Sequence, residues 1–130
     1  MSVNPSKQAS LVAIQAQANF INQGGAATLV FYDDTKPAST AVAANNSAKL
    51  VTLTFPNPAL KEVTEDYVEL HSTDAGTVIK AGTATWARLF NGAGMPVYDL
   101  EVGTDINLNN ASLVLGSTLM GRTIKFRPPL

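Results

Sequence analysis

The residue types that most often do chemistry are thinly spread over this chain of 130 residues. It has no cysteine and a single histidine, His71. That excludes a disulfide framework, a thiolate nucleophile and zinc held by sulfur, and it leaves no His-rich metal site within one chain. His71 is followed by Ser72 and then Asp74. Nucleophile, base and orienting acid must converge on one substrate from different segments, so three neighbours in one turn do not read as a triad. Asp99, Glu101 and Asp105 offer the hard oxygens that calcium prefers, but their spacing lacks the glycine turn of a calcium loop, and they read as a solvated face. Glu62, Glu65, Asp66 and Glu69 resemble the paired carboxylates of a glycosidase only in number. No apolar cleft is indicated beside them to raise one pKa. The glycines form neither G-x-x-x-x-G-K-[ST] nor G-x-G-x-x-G before a helix, so they read as turn and bulge residues. Asn45-Asn46-Ser47 and Asn110-Ala111-Ser112 fit the glycosylation pattern by chance. The expectation is a non-enzymatic protein with no catalytic residue, no cofactor and no bound metal.

The elements carrying these residues follow from periodicity. Residues 6–22 read as one helix, with Leu11, Ile14, Ala18 and Ile21 on a single stripe of period 3.6. Ser6 is placed to cap its start and Gly24-Gly25 to end it. Its other face carries Gln8, Gln15 and Asn19, polar but uncharged. Residues 27–32 read as a strand and 38–48 as a loop of small residues. Residues 49–55 alternate, with Val51, Leu53 and Phe55 on one face and Thr52 and Thr54 on the other. Residues 60–70 fit a helix by spacing and a strand by composition, and a strand after a turn is the reading preferred. Strands are expected at 77–79 and 83–90, the latter joined through Asn91-Gly92-Ala93-Gly94 to a strand at 96–102 in a hairpin. Short strands at 105–108, 111–115 and 117–126 follow, and Arg127-Pro128-Pro129-Leu130 is expected to be extended.

About eight short strands without crossover helices predict a mainly β fold, an antiparallel sandwich or jelly-roll-like barrel with one N-terminal helix. The chain is the size of a single domain (residues 1–130): helix and arm at 1–24, β-sandwich at 25–126, tail at 127–130. Trp86, Phe31, Phe55, Phe90 and Phe126 are expected at its centre. No apolar run reaches the roughly 20 residues of a membrane span, and no signal peptide is expected.

Charge is scarce and sorted. Only 15% of residues are charged, against roughly 25% in typical domains. The net charge of -1 gives no reason to expect nucleic acid or an anionic membrane as partner. Lys7 is the sole charged side chain in residues 1–32. Residues 62–74 hold five acids and no Lys or Arg, whereas 122–130 hold Arg122, Lys125 and Arg127 and no acid. In an oligomer or lattice such segments can meet across copies and set register. Gln8, Gln15, Asn19, Arg122, Lys125, Arg127 and Leu130 are therefore the candidate interface residues.

Much of the chain from Gly24 to Phe126 resembles small virion proteins of tailed bacteriophages and prophages. The similarity runs through 81–89 (Ala-Gly-Thr-Ala-Thr-Trp-Ala-Arg-Leu), a Gly-rich turn, Val97-Tyr98-Asp99, Val102-Gly103-Thr104 and Asp105-Ile106-Asn107-Leu108-Asn109. It also covers 29–38 and Leu53-Thr54-Phe55. Where that group tends to carry Gly after the aspartate of the Tyr-Asp turn, this chain has Asp34. The resemblance implies a structural protein located in the virion and made in the bacterial host cytoplasm. The role expected first is a decoration or cement protein that binds the major capsid protein lattice, itself multimeric there. A tail, neck or fibre-base component with other virion proteins as partners, or a carbohydrate-binding β-sandwich for host attachment, are the alternatives.

Overall fold

The structure is a computed structural model; it describes residues 6–63, 68–106, 108, 110–119 and 124–126. Helix α1 (Lys7–Ile21) begins where the sequence places it, because the Ser6 hydroxyl accepts the Ala9 N–H at 3.1 Å. It ends at Gly24 and Gly25, whose φ values of 88° and 126° suit glycine. Ile21 is buried in the core, whereas the side chains of Leu11, Ile14 and Ala18 lie outside the description. Asn22 anchors the helix end, its side-chain oxygen accepting the Ala59 N–H at 2.8 Å.

The chain is mainly β. Strands β1 (Thr28–Tyr32), β2 (Lys49–Thr54), β7 (Trp86–Phe90) and β8 (Pro96–Glu101) make an antiparallel sheet in the order β2-β1-β7-β8. Three smaller antiparallel ladders accompany it. β3 (Leu60–Val63), β4 (Val68–Leu70) and β11 (Ile124–Phe126) form one, in the order β11-β4-β3. β5 (Gly76–Thr77) pairs with β10 (Thr118–Leu119), and β6 (Gly82–Thr83) with β9 (Ser112–Leu113). Among the described residues the strands are shorter and more numerous than expected, and they do not close into a barrel.

The inner face of the four-stranded sheet shows why its sequence alternates. Leu29 stands across from Leu53 and Leu89, and Phe31 from Val51 and Ala87, the small Ala87 facing the largest side chain of the row. With Phe55, Leu70, Val78, Leu100 and Leu113 they form the main core. Val51, Leu53 and Phe55 are buried and Thr52 and Thr54 exposed, as the alternation predicts. Strand β1 departs from alternation: Leu29, Val30, Phe31 and Tyr32 are all buried, because both faces of this central strand are covered.

Several boundaries differ from expectation, for reasons of partnership. The single strand expected at 83–90 is two, because the chain changes ladder between them: Ala84 N–H bonds to Ala111 and Thr85 N–H to Tyr32. Residues 60–70 hold two strands, with 64–67 outside the description. The strand expected at 105–108 shows, among its described residues 105, 106 and 108, one bridge between Val102 and Ile106, since Asp105 and Ile106 turn their N–H groups back to the Glu101 carbonyl; Asn107 lies outside the description. The helix meets the β7–β8 turn in very close backbone approach: a Cβ on Gly92 would lie 2.2 Å from the Gly25 nitrogen.

Candidate functional site

Among the described residues the acidic and histidine candidates do not converge on one site. The backbone N–H of His71 bonds to Ala59 and that of Asp74 to Thr54, which lays 71–74 along neighbouring segments. Glu62 stands across from Glu69, while Glu65 and Asp66 lie outside the described residues. Asp105 accepts the Glu101 N–H at 2.9 Å and so serves its own turn, and Asp99 is turned away into an ion pair. Among the described residues no three His, Asp or Glu groups gather as metal ligands.

The expected interface residues fall into three groups. Gln15 and Asn19 are exposed on α1, and the side chain of Gln8 is not described. Arg122, Arg127 and Leu130 lie outside the described residues. Lys125 is on β11, directly across from Glu69 of β4. The basic and acidic segments, set apart in sequence, are thus adjacent strands of one ladder within one chain. The Lys61 ammonium lies 4.0 Å from the buried Glu69.

The densest polar constellation matches none of the sequence motifs, and it lies on the outer face of the four-stranded sheet. Residues at alternate positions of β1 and β7 point there, and the register aligns them: Tyr32 across from Trp86, Val30 from Arg88, and Arg88 from Asp99. The Tyr32 and Trp86 rings stack with centroids 4.4 Å apart and planes at 17°. The Arg88 guanidinium sits 5.4 Å from the Trp86 ring centroid, within cation–π range. It makes a two-pronged pair with Asp99, Nε to Oδ1 at 2.7 Å and Nη2 to Oδ2 at 3.1 Å. The Trp86 indole N–H donates to Asp34 Oδ1 at 2.7 Å. Arg88 is 2% exposed and Trp86 fully buried. Trp86 therefore belongs to a second cluster with Val30, Tyr32 and Ala48, separate from the core that holds Phe31 and Phe55. Phe90 is half-buried at its margin, and the Phe126 side chain is not described. A sequence signal exists in Trp86-x-Arg88 and the hairpin turn at 91–94. The neighbouring acids around Asp99 obscure it.

Arg88 and Asp99 thus bond each other, and Asp34 takes the indole N–H of Trp86. Burial raises the pKa of Tyr32 above its ordinary value of 10.0, the nearby Arg88 opposes this and Asp34 and Asp99 add to it; burial likewise raises Tyr98. With folded pKa values above the unfolded one, these groups hold protons that the unfolded chain releases. Their contribution is complete below pH 10.0 and is lost as pH rises through that value and their own pKa. Thermal unfolding followed from neutral to strongly alkaline pH is expected to show falling stability there, with a smaller fall in the Tyr32→Phe and Tyr98→Phe variants. A fall as large in both variants as in the wild type would contradict the assignment.

No protein-family model matches the chain, and no curated protein or solved structure matches it.

Proposed function

We propose that the protein is a non-enzymatic structural component of a bacteriophage virion, a decoration or cement protein that binds the assembled major capsid lattice. The observation that carries this reading is the surface of α1. Ala9, Val12, Gln15, Ala16, Gln17 and Asn19 are all exposed, Val12 at 65%, and none is charged. Fifteen residues of surface helix with Lys7 as the sole charge, and no charge complementing the helix dipole at either end, suit burial against protein better than bulk water. Val114 and Leu115 in a turn, and Ile79 beside it, are further exposed apolar side chains. In this reading the smaller ladders form the second layer of a sandwich-like module behind the four-stranded sheet.

The mechanism is mass action. A folded module that binds the assembled shell and not free subunits stabilises the shell by RT ln(1 + [L]/Kd) at each site. Lys125 stands opposite Glu69 in the strand register; the uncharged helix face is assigned the larger share of contact, and Arg122, Lys125, Arg127 and Leu130 a secondary one.

The test is occupancy. Capsids of the encoding phage, stripped of this protein and titrated with it, are expected to bind it saturably at hundreds of sites. Val12→Asp with Gln15→Glu is expected to leave unfolding unchanged and to lower affinity by about tenfold or more, the scale of a charge buried without a partner. Deleting 127–130 is expected to have a smaller effect. A few copies per particle would indicate a tail or neck position instead, and undiminished binding by the helix variant would overturn the assignment of that face.

A further inference from the structure

The loop between β1 and β2 is joined at its base, the Asp33 N–H donating to the Ala48 carbonyl at 3.1 Å, so it has the form of an Ω-loop. It lies over the outer face of the sheet. Ala44 and Ala48 are its members of the Trp86 cluster, and its Ser39 carbonyl receives a long 3.5 Å contact from Arg88 Nη2. From 33 to 47 no residue of this loop is buried. A segment whose one buried side chain is Ala48, at its base, therefore covers Trp86, the bulkiest fully buried side chain among the described residues.

Attachment of this cover is polar and concentrated at its ends. Trp86 and Thr85 side chains both donate to Asp34. Lys80, from outside the loop, spans the two ends: its Nζ donates to Asp33 Oδ2 at 3.1 Å and to the Ser47 carbonyl at 2.9 Å. One turn of 3-10 helix, Asn46–Ala48, capped by the Asn45 side chain on Ser47 N–H, brings Ser47 to that position. Few buried apolar contacts and solvent-reached tethers define a segment that opens well below the free energy of global unfolding.

We propose that residues 34–47 are a strap that swings off the sheet as a unit, Asp34 releasing the Trp86 indole N–H as it goes and Lys80 acting as the clasp across its ends, and that the open form presents stacked Trp86 and Tyr32 with Arg88 at the surface. The sheet beneath stays folded, because the main core lies on its other face.

The sole tryptophan reports the motion directly. In the wild-type protein, hydrogen exchange of the Trp86 indole N–H is expected to run at least about tenfold faster than that of the Leu29 and Phe31 amides in the sheet below. Lys80→Met is expected to raise acrylamide quenching of Trp86 about fivefold while cooperative thermal unfolding is retained, and Lys36→Met, a charge removed from the strap itself, is expected to leave quenching unchanged. Indole exchange as slow as the sheet amides would overturn the strap, since Trp86 would then be reached by global unfolding alone. Equal quenching in the two lysine variants would overturn the role of Lys80.

Discussion

Asp99→Ala is expected to destabilise the protein by about 3–5 kcal/mol, as found when one partner of a buried ion pair is removed. The Arg88 guanidinium would remain 2% exposed, with its face on Trp86 and both bonds to the carboxylate gone. The single long contact to the Ser39 carbonyl is a poor replacement. Denaturant unfolding of Asp99→Ala, Arg88→Met and the pair Arg88→Met with Asp99→Leu checks this. The double variant is expected to recover most of the loss, because two apolar side chains in the same register need no compensation for lost hydration. A loss well under about 1 kcal/mol for Asp99→Ala would mean that water reaches the pair and that the outer face is not sealed.

Gly92→Ala is expected to cost about 3 kcal/mol or somewhat more, the upper range for overpacking, through sterics alone. The added Cβ would lie 2.2 Å from the nitrogen, 2.4 Å from the carbonyl carbon and 2.5 Å from the oxygen of Gly25, and backbone atoms cannot rotate aside. Gly24 makes the reciprocal approach, since a Cβ there would fall 2.5 Å from the Ala93 nitrogen. The helix terminus and the hairpin turn are thus in backbone contact, and separating them would shift α1 off the core at Ile21. Gly94→Ala is the matched control. Its φ of 84° is unfavourable to alanine, but nothing lies within 4 Å, so a loss of about 1 kcal/mol is expected. Thermal unfolding of the two variants should rank them in that order. The reverse order would show that the helix–hairpin contact is loose.

Legibility in the sequence follows the range of the interaction responsible. The helix start rests on a bond three residues long, from Ser6 to Ala9, and its end on glycines with positive φ. The alternation of Val51, Leu53 and Phe55 and the turn at 91–94 are likewise local, and the structure has each where its pattern predicts it. The break at 84–85 is not legible, because it reflects which ladder each half joins, through Ala111 on one side and Tyr32 on the other. Asp99 reads as an exposed acid in a run of acids until the register places it opposite Arg88. Lys125 and Glu69 belong to segments far apart in sequence, and only strand pairing places them at opposite positions of one ladder. Trp86 is buried as expected, but in the outer cluster and not in the main core. A residue's pattern reveals that it is covered, not which side of the sheet covers it.

The sequence by itself determined the mainly β character, the capped N-terminal helix, the turns, and the helix surface, nearly free of charge, on which the proposed function rests. These follow from backbone stereochemistry, side-chain periodicity and composition, which act over a few residues. Tertiary structure alone decided the strand order β2-β1-β7-β8, the covering of the Trp86 cluster on the outer sheet face by the loop at 33–48, and the assembly of Tyr32, Trp86, Arg88 and Asp99 into one cluster. Those depend on pairings between segments up to dozens of residues apart. Hydrogen bonding between strands is made by the backbone, which is nearly the same in every residue, so the choice of partner emerges only when the whole core is packed.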